Sequence, residues 1–145
     1  MSAGTVTVRV TRRFSASAER VFDAWLDPSR LGKWLFATPT GEMVRVEVDA
    51  RVGGRWVLTE RRDGEDVEHT GEYLELDRPR RLAFTLVVPK YSKDVDRVEV
   101  DIVALDGGGC ELTLTHEMAG RDDFAEGARQ GWGMVLDGLA AVVDG

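Results

Sequence analysis

Three side chains could do acid–base chemistry if the fold brings them into an apolar pocket: His69, His116 and Glu60. Histidine changes charge between pH 5 and 8, and burial raises the pKa of a carboxyl group, so either can exchange protons near neutral pH. The alternative for both histidines is a core position in which a backbone or hydroxyl group satisfies the ring. For Glu60 we expect a position in water, where its strand has left the core.

The segments that position these residues show the period-two alternation of half-buried strands. His69 lies in step with Val67 and Tyr73, and His116 in step with Leu112 and Leu114, so both histidines are predicted to point inward. Asp63-Gly64 is a typical two-residue hairpin turn. Seven strands are predicted, at about 5–15, 44–48, 56–60, 67–73, 82–88, 98–102 and 112–116.

Two short helices are predicted between the first two strands. An apolar stripe over 21–26 indicates a helix that ends near Asp27-Pro28. Pro28 can open a second helix over 29–34, because a residue in the first turn needs no backbone N–H.

A long amphipathic helix is predicted over 122–143, where six apolar residues recur every three or four positions. Its glycines lower helix propensity, and we expect close contact with the sheet to compensate. The apolar residues are Phe124, Ala128, Trp132, Leu136, Leu139 and Val143, and the glycines are Gly127, Gly131, Gly133 and Gly138.

This order of elements predicts an α+β fold, in which a seven-stranded curved antiparallel sheet packs one face against the final helix. The 145 residues, of which 43% are hydrophobic and 31% charged, are typical of one globular core. We therefore expect a single domain over 1–145.

Several short segments occur in an order that resembles a known family. They are 14–25 (FSASAERVFDAW), 27–28 (DP), 33–34 (KW), 52–56 (VGGRW), 71–79 (GEYLELDRP), 112–117 (LTLTHE) and 131–132 (GW). Together they resemble the activator of heat-shock protein 90 ATPase-like branch of the START and polyketide-cyclase superfamily (SRPBCC), whose members have the helix-grip, or birch-pollen-allergen, fold. Many members carry a histidine just before the Gly-Trp pair, where this chain has Arg129-Gln130.

The resemblance implies a pocket between the sheet and the long helix. Such pockets usually measure about 300–1,000 Å³, and a few polar groups in them orient the ligand. The alternative is that the same aromatic side chains form a plain, filled core. The predicted ligand-binding residues are Trp34, Trp56, Leu58, His69, Tyr73, Phe84, Leu86, Val100, Leu114, His116, Trp132 and Leu136.

Charge and hydropathy exclude other classes of function. A formal net charge of −7 opposes binding to nucleic acids. The longest apolar run, 139–143, is too short to span a membrane, and the first residues do not resemble a secretion signal. Cys110 has no second cysteine to pair with, which suits a reducing compartment. We expect a cytoplasmic protein.

The motifs of metal and nucleotide chemistry are missing from the sequence. His116-Glu117 begins like a zinc-protease motif, but Gly120 stands where the second histidine would be. The run 107–109 lies between two strands, so these glycines indicate a hairpin turn. We expect no cofactor and no metal ion.

Three functions remain open. The first is binding of a small hydrophobic or amphipathic molecule, and the second is a cyclase- or dehydratase-like enzyme that uses the two histidines and Glu60. The third, an activator of the heat-shock protein 90 ATPase, rests on the family name, and we expect it least because the separate docking domain of the eukaryotic members is missing from the sequence. A weak homodimer through an edge strand is a further expectation.

Overall fold

The structure is a computed structural model that describes residues 5–35, 41–90, 94–119 and 125–144. Within these ranges the elements follow the predicted order. They are β1 (Thr5–Phe14), α1 (Ala18–Ala24), α2 (Pro28–Trp34), β2 (Glu42–Val48), β3 (Arg55–Arg62), β4 (Glu65–Asp77), β5 (Arg81–Leu86), β6 (Asp96–Ala104), β7 (Cys110–Ala119) and α3 (Ala125–Val143).

The seven strands form one antiparallel sheet in the order β1-β7-β6-β5-β4-β3-β2. The first strand therefore pairs with the last, and the edges of the sheet are β1 and β2. Residues opposite one another point to the same face, so the register defines an inner face packed against the helices. One row of this face runs through Tyr73, Phe84, Val98, His116 and Val8. The predicted α+β helix-grip fold is confirmed.

Local sequence explains where the two short helices begin. The Ser17 hydroxyl accepts a hydrogen bond from the Arg20 backbone N–H at 3.2 Å and caps α1. The Asp27 carboxylate accepts one from the Ser29 N–H at 2.9 Å and caps α2. Pro28 is already part of α2, so the second helix begins one residue before the predicted 29.

A β-bulge changes which residues of β2 face the core. The register against β3 shifts between Met43 and Arg45, so Val44 does not alternate in step with Val46 and Val48 as the sequence predicted. Val44 is exposed, whereas Met43 is half-buried and packs against the core. The prediction that all three valines share one face was therefore wrong.

The long helix α3 packs against β1, α1 and α2. Four of the predicted apolar residues of the helix are buried: Trp132, Leu136, Leu139 and Val143. Arg12 of β1 fastens the helix to the sheet edge, because its Nη2 donates to the Gly133 carbonyl at 3.0 Å and pairs with Asp137 at 3.0 Å. The predicted first turn, 122–124, lies outside the described residues.

The glycines of α3 are not all required by packing. A Cβ at Gly127 or Gly131 would meet nothing within 4 Å, whereas one at Gly138 would lie 3.4 Å from Trp34 Cβ of α2. The expectation that sheet contact compensates for every glycine was therefore wrong.

We predict that Gly127→Ala and Gly131→Ala each raise the free energy of unfolding, by about 0.5–1 kcal/mol, because alanine restricts the unfolded chain without a clash in the helix. Urea unfolding followed by tryptophan fluorescence measures the change. Gly138→Ala is the packed control and should gain less. Destabilisation by either of the first two substitutions would contradict the helix geometry.

Candidate functional site

Aromatic side chains from four elements converge on the inner face. Trp25, at the end of α1, meets Trp34 of α2 edge to face, with ring centroids 4.7 Å apart and planes at 86°. Phe84 of β5 lies 6.1 Å from Trp25 and 5.5 Å from Trp56 of β3. We call these four residues the aromatic cluster. Contacts of this kind add to the stability that burial of the rings provides.

A small void lies beside the aromatic cluster. Its volume is about 10 Å³, roughly what a single water molecule needs. The side chains around it are Trp25, Leu31, Leu35, Trp56, Tyr73 and Phe84. These six side chains therefore pack closely and enclose no hollow of several hundred Å³ among themselves.

All twelve predicted ligand-binding residues are buried in the described structure. Only Trp56, Tyr73 and Phe84 of that set border the void, and the rest lie elsewhere in the interior. The sequence analysis missed Trp25, Leu31 and Leu35. Trp25 was visible as part of the apolar stripe of α1, but that pattern does not distinguish a side chain beside a void from one in a filled core.

His116 is held by two hydrogen bonds. Trp132 of α3 donates its indole N–H to Nδ1 at 2.9 Å, and Nε2 lies 2.9 Å from an Asp96 carboxylate oxygen. An indole can only donate, so Nδ1 is an acceptor, and the proton of the neutral ring is on Nε2, from which it is donated to Asp96. Both ring nitrogens are occupied. His116 therefore positions α3 on the sheet and has no lone pair left for a ligand.

We predict that Trp132→Phe lowers the free energy of unfolding by about 1–2 kcal/mol more than Trp25→Phe does. Both substitutions remove an indole, but only Trp132 donates to a buried acceptor, and that acceptor would lose its partner. Urea unfolding at pH 7 measures both variants. Equal losses would show that the hydrogen bond from Trp132 to His116 contributes nothing.

A second group of polar side chains, which we call the polar cluster, comprises Glu60, Arg62 and His69. Glu60 is only 1% exposed and forms an ion pair with the Arg62 guanidinium. The expectation that Glu60 lies in water was therefore wrong. Glu60 of β3 pairs with Val67 of β4. His69 comes two residues after Val67, so its side chain lies on the same face of the sheet as Glu60.

Burial controls the charge of His69. Desolvation, with a further contribution from the nearby Arg62, lowers its pKa from 6.5 to about 4. The ring is therefore neutral at pH 7. Both histidines point inward, as the alternation predicted.

The two clusters adjoin along β3. The inner face of β3 carries, in order, Trp56, Leu58, Glu60 and Arg62. An apolar surface therefore leads to the ion pair of Glu60 and Arg62. Gly71 lies opposite Trp56, and a Cβ there would stand 1.7 Å from the Thr85 carbonyl oxygen. Only glycine allows the backbone to approach so closely.

Across the part of the chain that is described, no group of three or more histidine, cysteine, aspartate or glutamate side chains is arranged to hold a metal ion. Over the same residues, no helix combines the length and apolar character that a membrane span requires.

A seven-stranded antiparallel sheet with two short helices after its first strand and a long C-terminal helix defines a helix-grip domain. Residues 15–144 match the model of the family described as Activator of Hsp90 ATPase homolog 1-like protein. The chain belongs to this family, within the START and polyketide-cyclase superfamily, and the resemblance stated from the sequence is confirmed.

Solved structures agree with this assignment. Protein CV1439 from Chromobacterium violaceum is 30% identical, with a TM-score of 0.85 over 96% of this chain and 97% of its own. An AHSA1-like protein from Aeromonas hydrophila has 23% identity and a TM-score of 0.81, covering 96% and 92%. CalU16 from Micromonospora echinospora has 25% identity and a TM-score of 0.74, covering 99% and 80%. No curated protein matches the chain significantly.

Proposed function

We propose that this domain binds a small, largely apolar molecule between the inner face of its sheet and its helices. The observation that carries the proposal is the buried Glu60 carboxylate, which lies on the same face of β3 as Trp56 of the aromatic cluster. Burial of a charge opposes folding, and a purely structural core needs none at this position. Apolar walls beside a few buried polar groups are the usual composition of a ligand site.

The small volume of the void adds a requirement to this proposal. The void beside the aromatic cluster, of about 10 Å³, is too small for a ligand, so a ligand that binds at this place must move the aromatic side chains apart. The apparent affinity is then the affinity of the open form multiplied by the fraction of molecules that are open. Because opening precedes entry, the observed association rate should level off as the ligand concentration rises.

Fluorescence titration with 1-N-phenylnaphthylamine, an uncharged apolar probe, tests the proposal. We expect saturable binding of one probe per chain, with energy transfer from tryptophan to the probe. Met134→Lys is the matched control, because Met134 is an exposed apolar residue of α3 that is able to attract a probe to the surface. Absence of saturable binding, or its loss in Met134→Lys, would contradict an internal site.

An enzyme of the cyclase type is the second candidate, and His69 is then the histidine that would act as its acid–base group. His116 has both ring nitrogens engaged, whereas His69 lies beside Glu60 and is neutral. A base with a pKa of about 4 accepts a proton weakly at pH 7, which makes catalysis less favoured than binding. Turnover of a candidate substrate that survives substitution of His69 by alanine would remove this candidate.

The family description names an activator of the Hsp90 ATPase, and such a role is the third candidate. Nothing at the aromatic or polar cluster favours a protein partner over a small molecule. Stoichiometric binding to the chaperone, together with stimulation of its ATPase, would reverse this ranking.

A further inference from the structure

Two buried hydrogen-bond donors in the aromatic cluster have no acceptor. The indole nitrogens of Trp25 and Trp34 are inaccessible to solvent, and the described residues place no hydrogen-bond partner within reach of either. Native proteins satisfy nearly all such groups, because an unmade hydrogen bond in the interior raises the free energy of the folded state. Two of them in contacting side chains therefore call for an explanation.

The edge-to-face contact between the two rings does not provide an acceptor for both indole N–H groups. In a T-shaped pair only one ring directs its edge at the face of the other. An N–H group over an aromatic face is a weak hydrogen bond, and this geometry allows it for one of the two indoles at most. Neither indole therefore has a conventional acceptor among the described residues, and the Trp25 ring borders the water-sized void.

We propose that the aromatic cluster recognises the oxygen of a neutral carbonyl group on the ligand, with the indole N–H of Trp25 or Trp34 as donor. This inference rests on the proposed function, because it assigns the chemistry of one end of the ligand. Opening of the cluster would admit the carbonyl group, and its oxygen would accept the hydrogen bond that the closed protein lacks.

The charges around the void favour a neutral group over an anion. None of the six side chains that line it carries a positive charge. Desolvation, together with the negative charge of Asp49, raises the pKa of Tyr73, so the phenol stays protonated.

Three ligands of nearly equal shape test the assignment: 2-acetylnaphthalene, the hydrocarbon 2-isopropenylnaphthalene, and 2-naphthoate. We expect the ketone to bind about tenfold more tightly than the hydrocarbon, which is the contribution of one hydrogen bond, and the carboxylate to bind most weakly. In Trp25→Phe or Trp34→Phe the preference for the ketone should fall toward unity. Each ratio compares two ligands on one protein, so any cavity left by the substitution affects both.

The indole N–H signals in ¹H–¹⁵N NMR spectra locate the donor directly, with the phenylalanine variants as the means of assignment. We expect the ketone, and not the hydrocarbon, to shift the signal of Trp25 or Trp34 downfield. If both ligands bind equally, or the preference survives both substitutions, the acceptor is a trapped water or an atom of the protein, and the inference is overturned while the proposed function stands. If neither ligand binds, both are overturned.

Discussion

Acidification from pH 7 to pH 4 is expected to lower the free energy of unfolding by about 3 kcal/mol through His69 alone. The unfolded chain binds a proton at this residue below its ordinary pKa of 6.5, whereas the folded chain does so only near pH 4. Between these two values the unfolded state holds more protons, so stability falls as the pH falls. Above pH 6.5 both states are neutral and the full contribution is present.

Urea unfolding of the wild-type protein and of His69→Gln, each at pH 7 and pH 4, isolates this effect. Glutamine keeps a polar side chain but does not titrate. Acid protonates the carboxylates and weakens their ion pairs in both proteins, so this loss of stability cancels when the two proteins are compared. We expect the variant to lose about 3 kcal/mol less than the wild type. Equal losses would show that His69 is accessible to protons in the folded state.

Arg62→Met is expected to destabilise the protein by about 3 kcal/mol at pH 7. Glu60 is almost fully buried, and removal of its guanidinium partner leaves the carboxylate with less compensation for lost hydration. The expected value lies at the lower end of the range for buried pairs, because the Arg62 side chain is 29% exposed.

Two variants make this result interpretable. Arg61→Met removes the neighbouring arginine, whose partner Asp66 is half in water, and should cost less than about 0.5 kcal/mol. The double variant Arg62→Met with Glu60→Gln removes the buried charge and should recover at least half of the loss. If Arg62→Met loses no more stability than Arg61→Met, then Glu60 is hydrated or protonated in the folded protein.

The fold was predictable because its signals are local. Alternation of apolar and polar residues defined the strands. The hairpin at Asp63-Gly64 was predictable because its turn needs positive φ angles, here 50° and 81°, which few residue types adopt. The inward direction of both histidines followed from the same alternation. The short family segments then indicated the helix-grip fold, whereas the pairing of the first strand with the last comes from the structure.

The environment of the site was not predictable, because it depends on residues that are distant in sequence. Whether Glu60 is wet depends on what covers the end of β3, and its own strand carries no information on that. Asp96 lies before the predicted strand 98–102, yet it begins β6, and its carboxylate lies 2.9 Å from His116 Nε2. The bulge in β2 has no clear residue signature, and a few displaced side chains decide whether a core is hollow.

The pairing of β1 with β7 affects how the chain folds. Thr5 lies opposite Ala119, so most of the polypeptide must be present before the first strand has a neighbour. Closure of so large a loop is entropically unfavourable, and topologies rich in distant contacts fold slowly. During synthesis β1 therefore has no neighbouring strand until β7 has emerged.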